Sequence, residues 1–369
     1  MRITHFVENL ERGGLERVVI DLVLKQIDQG YTCQVVCLFQ YGVMADQLIS
    51  KGVKVRACNK RLGFDLRALK KAREYFIDFG TEILHTHNVM AHYYGVFASS
   101  FLPIRVRLNT RHNMGTFRYS KKAEFLYRIS MLFSKAGVAV CEAASKRYIE
   151  RRAFSEQKAK VVPNGILFNA VIKRDNSHKL NLLEFLSLSN ESIVIGTVGR
   201  LTKVKDHFNL INAFGILKKS CENAILVIVG GGELFNNLNR EIEKQNLADS
   251  VRLLGDRSDV FSLLAAFDIY VMSSISEGHS IALLEACAAE LPIVATDVGG
   301  NSEIVQDNVN GLLVPAKDPG SLANAVITLI EDPDKRTSMG LAGREWVAKF
   351  GSVDVMAKRY AEIYQSENV

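Results

Sequence analysis

The chain has 369 residues, which is more than one ordinary hydrophobic core needs and enough for two domains of common size. Its 48% hydrophobic and 23% charged residues indicate a folded globular protein and exclude a disordered one. No stretch approaches the roughly 20 apolar residues of a membrane-spanning helix. The first residues read directly into a strand, so we expect no signal peptide and a cytoplasmic protein.

Charge is distributed unevenly along the chain. Residues 1–170 hold 27 of the 46 Lys and Arg but only 14 of the 40 Asp and Glu. A basic first part suits an anionic lipid surface, nucleic acid or an acidic acceptor, although a basic solvated surface without a partner has the same composition. The six cysteines lack a metal-site spacing, and Cys33 and Cys37 share one apolar run, which indicates buried thiols in a reducing cytosol.

Apolar strand patterns alternate with helical patterns along almost the whole chain, which is typical of parallel βαβ units. In the first half the predicted strands are 3–9, 33–39, 53–58, 83–87, 105–110, 138–142 and 160–164. The helical patterns between them include 16–29, 65–79 and 143–152. The polar segment 168–190 breaks this rhythm and is interpreted as a linker.

The second half repeats the alternation. Its predicted strands are 193–199, 224–231, 251–255, 269–274, 292–298 and 311–315, and its helices are 206–219, 234–246, 280–289 and 321–330. The sequence therefore predicts an α/β protein with two Rossmann-like, doubly wound parallel-sheet domains, 1–167 and 191–350. A C-terminal helix over 351–369 is expected after a break at 350–352, placed to pack back on the first domain. Ligands are expected in the crevice at the carboxyl ends of the strands.

The segment SEGHSIALLEA carries two acidic residues, Glu277 and Glu285, around the predicted start of a helix near Ser280. Backbone N–H groups of Ile281 and Ala282 at that start favour an anion. The two carboxylates suit hydroxyl groups on either side of it, such as those of a ribose and a sugar. An E-x7-E spacing alone is common by chance, and Glu285 has an equally simple interpretation as a surface helix residue.

Two cations follow the first strand of the second domain in TVGRLTKVKD. Arg200 and Lys205 leave the carboxyl end of that strand, where they can neutralise a diphosphate and the charge that grows on it as a leaving group. Two cations in a polar surface loop are the alternative.

Two glycine turns follow strands. In VENLERGGLERVV, Gly13 and Gly14 make a turn before a helix, and Gly230, Gly231 and Gly232 make a second one. Glycine lets the backbone approach a phosphate or sugar closely and offers N–H donors. The full G-x-G-x-x-G fingerprint is missing, which argues against a dinucleotide redox cofactor.

Histidines lie at two strand ends. His85 and His87 in HTHN lack a visible third metal ligand, so we interpret them as hydrogen-bonded side chains and predict no metal and no cofactor. His112 in LNTRHN is a candidate for contacting a transferred sugar or a proton, as are its neighbours Arg111 and Asn113.

Taken together and in this order, these segments resemble the family 4 retaining glycosyltransferases with the GT-B architecture. The matching pieces are GGLE, PNGI at 163–166, GRLTKVKD, GGGEL, LLGDRSDV and SEGHSIALLEACAAELPIVATDVGGNSEIV. The resemblance covers nearly the whole chain and is most specific over 199–314. It implies a metal-independent, retaining hexosyl transfer from a UDP or GDP sugar to a glycan or lipid-linked acceptor, in the biosynthesis of bacterial polysaccharide, lipopolysaccharide or capsule.

The resemblance also implies roles for single residues. Arg200 and Lys205 match the diphosphate-binding pair, Glu285 the ribose-binding residue and Glu277 the residue that contacts donor-sugar hydroxyls. His112 aligns loosely with a histidine near the reacting centre, so Arg200, Lys205, Glu277 and His112 are the expected catalytic residues. The remaining nucleotide-sugar positions are Gly13, Gly14, Gly231, Asp256, Arg257, His279, Ser280, Ile281 and Ala282, with Asp256 and Arg257 at the base.

One departure affects the sugar pocket. Many members have glycine-aromatic-glycine after the first glutamate, whereas this chain has Gly278, His279 and Ser280. Side chains at the last two positions narrow or repolarise that pocket, so the donor sugar does not carry over from the family.

The acceptor side offers a basic amphipathic segment, 117–137. It combines the apolar Phe125, Leu126, Ile129, Leu132 and Phe133 with the basic Arg118, Lys121, Lys122, Arg128 and Lys135. Such a segment can rest on an anionic membrane as a peripheral contact, or be a core-facing helix with a solvated basic side.

Two other functions remain open from the residues. A sugar-nucleotide epimerase of the same architecture would bind the donor but transfer nothing. A basic nucleic-acid-binding protein is the second, but its aromatic residues are not interleaved with the basic ones as stacking platforms would be.

Overall fold

The structure is a computed structural model that describes residues 1–114 and 120–366. Its strands are β1 (Arg2–Val7), β2 (Thr32–Cys37), β3 (Lys54–Ala57), β4 (Ile83–His87), β5 (Val106–Arg111), β6 (Ala136–Ala139), β7 (Ala159–Val161), β8 (Ile193–Val198), β9 (Ala224–Val229), β10 (Val251–Gly255), β11 (Ile269–Met272), β12 (Ile293–Thr296) and β13 (Gly311–Val314).

The helices alternate with these strands. They are α1 (Gly14–Asp28), α2 (Asp46–Ile49), α3 (Leu66–Phe79), α4 (Val89–Ala98), α5 (Lys121–Leu132), α6 (Glu142–Glu150), α7 (Asn176–Phe185), α8 (His207–Leu217), α9 (Phe235–Lys244), α10 (Val260–Ala266), α11 (Ile281–Ala288), α12 (Asn301–Ile304), α13 (Pro319–Glu331), α14 (Pro333–Phe350) and α15 (Val353–Gln365). No helix among the described residues is both long and apolar enough to cross a bilayer.

Unit 1 comprises Met1–Ile166 and Val353–Val369. Its seven strands form one parallel sheet in the order β3-β2-β1-β4-β5-β6-β7. The direction in which successive strands are added to the sheet reverses between β1 and β4, which is the switch point of a doubly wound sheet. Local sequence sets the helix ends: the Asp65 carboxylate accepts the N–H of Arg67 to begin α3, and Gly80 in the left-handed region ends it.

Unit 2 comprises Leu167–Ser352. Its six strands form a second parallel sheet in the order β10-β9-β8-β11-β12-β13, with the switch point between β8 and β11. All six residues of β9 are buried, as expected for a central strand covered on both faces. The predicted α/β class with two Rossmann-like doubly wound sheets is confirmed.

The segment 168–190 differs from the expected irregular linker. It contains α7, whose Leu182 and Leu183 are buried, and it belongs to unit 2. Arg174 and Lys179 both form ion pairs with the nearly buried Asp268, at 2.9 and 2.7 Å. The polar composition that suggested a linker therefore includes cations that fix this segment on unit 2.

The C-terminal helical region divides where the sequence indicated, because α14 ends at Phe350 and α15 begins at Val353. Helix α15 belongs to unit 1 and packs on α1. Its Tyr360 and Tyr364 are buried there and supply hydroxyl groups to the polar interior described below.

Candidate functional site

The switch point of unit 2 brings two loops together. The loop after β8 carries Arg200 and Lys205, and the loop after β11 leads through Glu277 to α11. They are joined by a backbone hydrogen bond from the Ile275 N–H to the Val204 carbonyl, 2.8 Å long. Residues that are about 70 positions apart in the chain therefore meet at the carboxyl ends of neighbouring parallel strands.

An ion pair forms the centre of this region. The ammonium group of Lys205 donates to Oε1 of Glu277 over 2.6 Å, and the Ser274 hydroxyl donates to the same oxygen over 2.6 Å. The Lys205 side chain is 23% exposed and that of Glu277 is 11% exposed, so the pair is largely shielded but reachable. A shielded cation of this kind interacts more strongly with a bound anion than a solvated one does.

The backbone under Lys205 is fixed by Ser273, whose hydroxyl donates to the carbonyl oxygens of Lys205 and Asp206 at 3.0 Å each. Asp206 has a φ of 47°, a left-handed conformation that needs such support. Burial and then the charge of Lys205 lower the pKa of the adjacent His207 to about 4. A neutral His207 therefore accompanies the cation across the physiological pH range.

Arg200 lies apart from this pair. Arg200 is exposed, and its side chain forms no ion pair or hydrogen bond with any residue that the structure describes. The two cations predicted to act together thus differ: Lys205 is held in place, and Arg200 remains free to approach an anion.

Helix α11 starts beside the ion pair. Ser280 caps it by accepting the N–H of Leu283 over 3.4 Å, and His279 and Ser280 are both buried. Ile281 and Ala282 are the first two helical residues, so their N–H groups have no acceptor within the helix. The helix therefore begins with a partial positive charge four residues after Glu277, the partner of Lys205.

The two predicted glutamates share a neighbour, Tyr270, that sequence reasoning missed. Burial raises the pKa of this phenol, and the charges of Glu285 and Glu277 raise it further, against a contribution from Val198 that lowers it. The Tyr270 hydroxyl donates to the Val198 carbonyl over 3.1 Å. A tyrosine in the buried strand IYVM that directly precedes the motif was the available signal.

The glycine turn after β9 packs against the loop after β8. Gly230 has a φ of 136°, and a Cβ atom there would overlap the Gly199 carbonyl, so only glycine fits. The Gly231 N–H donates to Oδ1 of Asp256 over 2.8 Å. Asp256 therefore supports the turn, in addition to the base-binding role predicted for it.

Arg257 is engaged within the protein. Its guanidinium donates to both carboxylate oxygens of Asp259, at 2.8 and 2.7 Å, and lies over the Phe185 ring. Such a bidentate pair fixes the guanidinium plane. The predicted contact of Arg257 with a base stays a prediction.

In unit 1, Gly13 and Gly14 lie at the start of α1. Gly14 is the first helical residue and Gly13 precedes it in an extended conformation, with φ of −178°. A Cβ atom on Gly13 would meet the Glu16 carboxylate. The two glycines thus lie at a helix N-terminus next to the switch point of this sheet, as the sequence indicated.

Four of the five histidines of unit 1 form one cluster, in which His5, His85 and His87 are buried and His112 is half-buried. His112 follows β5, and its Nε2 lies 3.0 Å from Nδ1 of His87. Both ring nitrogens of His85 and of His87 have partners, as the sequence suggested. His5 was missed: β1 pairs with β4 so that His5 lies opposite His85, and three rings meet within reach of one metal ion.

Matches to known protein families cover most of the chain. Residues 12–167 match the model described as Glycosyltransferase Family 4, and residues 181–346 match the model described as Glycosyl transferases group 1.

Two curated relatives come from bacteria. One is the UDP-Gal:alpha-D-GlcNAc-diphosphoundecaprenol alpha-1,3-galactosyltransferase of Escherichia coli, 27% identical over 263 residues, which are 68% of this chain and 67% of that protein. Another is the GDP-mannose-dependent alpha-(1-6)-phosphatidylinositol monomannoside mannosyltransferase of Mycobacterium tuberculosis, 32% identical over 182 residues. The second match spans 46% of this chain and about half, 47%, of the relative.

Among solved structures, Anabaena HepE in complex with UDP and glucose superposes with a TM-score of 0.87 over 100% of both chains, at 23% sequence identity. At that identity the likeness shows the fold, which is the GT-B fold of two Rossmann-like domains.

Proposed function

The chain belongs to the GT-B glycosyltransferases that combine a Glycosyltransferase Family 4 domain with a Glycosyl transferases group 1 domain, and on this premise we propose the transfer that it performs. It moves a sugar from a UDP or GDP sugar to a lipid-linked glycan acceptor, retains the anomeric configuration and needs no metal ion. The product belongs to a bacterial surface polysaccharide, lipopolysaccharide or capsule.

The observation that carries this proposal is the Lys205–Glu277 pair beside the start of α11. A diphosphate at this point would be neutralised by Lys205, by Arg200 reaching in from solvent, and by the N–H groups of Ile281 and Ala282. Because Lys205 and Glu277 already lie 2.6 Å apart, the donor phosphate and a sugar hydroxyl can each engage one member of the pair.

These groups favour departure of the diphosphate. As the C1–O bond of the donor lengthens, negative charge grows on the leaving phosphate, and prearranged cations stabilise that charge more than they stabilise the bound donor. The leaving oxygen accepts the proton of the acceptor hydroxyl, which attacks C1 from the same face, so the configuration is retained. The fixed Lys205, the mobile side chain of Arg200 and a helix N-terminus supply the positive charge that a divalent ion would otherwise supply.

Further residues have proposed positioning and contact roles. Glu277 accepts hydrogen bonds from hydroxyl groups of the donor sugar, and Glu285 accepts them from the ribose hydroxyl groups. His279 and Ser280 narrow the sugar pocket. The turn of Gly230–Gly232, supported by Asp256, borders the nucleotide. In unit 1, Gly13, Gly14 and His112 are proposed to contact the donor or the transferred sugar.

The acceptor class is inferred from the relatives and from α5. Both relatives named above are enzymes of lipid-containing substrates, a diphosphoundecaprenol and a phosphatidylinositol mannoside. In α5, Phe125 and Leu132 are 61% and 72% exposed, while Tyr127 and Met131 on the opposite side are buried. Exposed apolar side chains beside Lys121 and Lys122 suit the surface of an anionic bilayer.

A cavity lies next to this surface. It has a volume of about 390 Å³ and is lined by apolar groups of Met131, Leu132 and Phe154 and by the basic Arg128 and Lys158. An apolar floor with basic groups suits a lipid with an anionic head, which supports peripheral binding at the inner face of the membrane. Arg118, from the same predicted segment, lies outside the described residues.

The test combines donor binding with product analysis. A donor at 100 times its Kd should stabilise the protein by about 2.7 kcal/mol, so a thermal-shift screen of UDP, GDP and ADP sugars identifies the base. Transfer to an undecaprenyl-diphosphate sugar, with and without EDTA, then tests acceptor and metal independence, and the proton NMR coupling constant of the product gives its anomeric configuration. An inverted product contradicts retention, and epimerised donor without transfer identifies the epimerase alternative.

A further inference from the structure

A row of buried side chains connects the interior of unit 1 to His112. Oε1 of Gln26 lies 2.8 Å from Nε2 of His5, Nδ1 of His5 lies 3.1 Å from Nε2 of His87, and Nδ1 of His87 lies 3.0 Å from Nε2 of His112. Gln26 and His5 are at most 1% exposed, and so is His87. We call Gln26, His5, His87 and His112 the histidine row.

The orientation of the Gln26 amide sets the direction of every hydrogen bond in the row. Its Nε2 donates to the Tyr364 hydroxyl over 3.1 Å, and its Oε1 also faces the thiol of Cys33, a weak donor. Oε1 can only accept, so Nε2 of His5 must carry a proton.

The remaining protons follow one by one because a neutral imidazole has one donor and one acceptor nitrogen. Burial lowers the pKa of His5 and of His112 to about 4 and that of His87 well below its usual value, so the rings are neutral near pH 7. Nδ1 of His5 therefore accepts from His87, and Nδ1 of His87 accepts from His112. The proton of His112 is then on Nε2.

The end of the row has a consequence for ligand binding. Nδ1 of His112 is shielded from bulk solvent and has no partner with hydrogen-bond geometry among the described residues, although the Asn164 side chain is near enough to raise the pKa of the ring. Buried acceptors are rarely left without a donor, so a hydroxyl group of a ligand is the natural partner for this lone pair.

The same amide directs a second branch, which ends elsewhere. The Tyr364 hydroxyl accepts from Gln26 and so donates to Nδ1 of His85 over 2.8 Å, and Nε2 of His85 donates to the Thr110 hydroxyl, which lies 2.9 Å from that of Tyr360. Because all nitrogens of His5, His85 and His87 are used in these two branches, the three rings form a hydrogen-bonded cluster with no lone pair left for a metal ion.

We propose that Gln26, His5 and His87 are positioning residues that hold His112 in a single tautomer, with the proton on Nε2 and the lone pair on Nδ1 facing the ligand. The structural part of this proposal stands on the histidine row alone, whereas its effect on transfer rests on the proposed function.

The test is NMR of the full chain labelled with ¹⁵N-histidine. Long-range ¹H–¹⁵N spectra distinguish the two tautomers of each ring, and the His112 signal is assigned by its loss in His112→Asn. In the wild-type protein at pH 7 we expect His112 with its proton on Nε2 only. A proton on Nδ1, or a mixture, overturns the proposal whether or not any variant folds.

The variant Gln26→Met keeps the size of the side chain but removes the acceptor for His5. Without that acceptor, the N–H at Nε2 of His5 would be unsatisfied. The row avoids this if every hydrogen bond in it reverses direction, which places the proton of His112 on Nδ1. The Asn164 side chain, which raises the pKa of that ring, can then accept this proton. We expect the proton of His112 to move mainly to Nδ1. An unchanged His112 tautomer in folded Gln26→Met overturns the assignment of Gln26.

The matched control is Tyr360→Phe, which removes one equally buried hydroxyl from the second branch. We expect His112 to keep its tautomer there. In transfer assays, Gln26→Met should lower kcat/KM about tenfold, the effect of losing one hydrogen bond, while Tyr360→Phe stays near the wild type. A tautomer shift without a change in kcat/KM would contradict the role in transfer but leave the histidine row intact.

Discussion

The two sheets have the same topology around their switch points, but the side chains there are charged in unit 2 and neutral in unit 1. In unit 2, the switch point between β8 and β11 carries an ion pair, Lys205 with Glu277, and an exposed Arg200. In unit 1, the switch point between β1 and β4 carries neutral imidazole rings joined by hydrogen bonds. The difference fits the proposed function, in which unit 2 binds the charged diphosphate and unit 1 contacts uncharged hydroxyl groups.

Acid should destabilise unit 1 more than unit 2. Five histidines of unit 1 and one of unit 2 have a lowered pKa, with burial as the main cause: His5, His85, His87, His92 and His112, and His207. The unfolded chain takes up protons below pH 6.5, while the folded chain resists them down to about pH 4. The stability that these rings contribute is therefore complete above pH 6.5 and is lost as the pH falls.

Each buried histidine makes the free energy of unfolding fall by up to about 1.4 kcal/mol per pH unit in that range. Between pH 6.5 and 5 we expect the free energy of opening derived from hydrogen exchange to fall further in unit 1 than in unit 2, because unit 1 contains more of these histidines. Mass spectrometry of exchange, corrected for the intrinsic rate, measures both units in one sample. Equal loss of protection in both units would contradict the assignment of these rings as buried and neutral.

The fold could be predicted because its signals are local. Strands such as 251–255 and 83–87 form with the predicted bounds, and α14 and α15 separate at the predicted break. The exception, 168–190, shows the limit: its composition is that of a linker, but the buried Leu182 and Leu183 and the ion pairs of Arg174 and Lys179 with Asp268 hold it on unit 2. A partner more than 85 residues away in the chain leaves no mark on local composition.

The second expected effect concerns the two cations at the switch point of unit 2. Removing a positioned donor to developing charge lowers turnover about 100–1,000-fold, so we expect that loss for Arg200→Ala and for Lys205→Ala. Lys203→Ala is the matched control, because Lys203 is an exposed lysine of the same loop. Initial rates at saturating donor measure the effect, with thermal unfolding to verify the fold. Near-normal turnover in both variants would contradict the proposed neutralisation of the diphosphate by Arg200 and Lys205.

The candidate site was predictable in its charges and not in its contacts. Arg200, Lys205 and Glu277 stand out as ionisable residues at strand ends, but that Lys205 binds Glu277 depends on which strands become neighbours. Tyr270 and His5 were missed for a related reason, since each lies inside an apolar strand and resembles core until the strand register is known. Asp256 was predicted as a site residue, but its hydrogen bond with the Gly231 N–H was not, because that contact depends on β9 and β10 ending side by side.

The smallest expected effect concerns membrane binding, which we propose for α5 in unit 1 and not for unit 2. Burying one Phe or Leu side chain is worth about 1.5–3 kcal/mol, and a Lys near an anionic surface about 1 kcal/mol. Phe125→Ser should therefore weaken binding to phosphatidylglycerol vesicles tenfold or more, and Lys121→Ala about fivefold. Leu341→Ser is the control, because Leu341 is 50% exposed but lies in unit 2.

Vesicle sedimentation at low and high salt measures the binding of all three variants. Added salt should remove the effect of Lys121→Ala and leave most of the effect of Phe125→Ser, because screening acts on charges and not on apolar burial. Absence of binding to these vesicles at any salt concentration would contradict a membrane contact of α5.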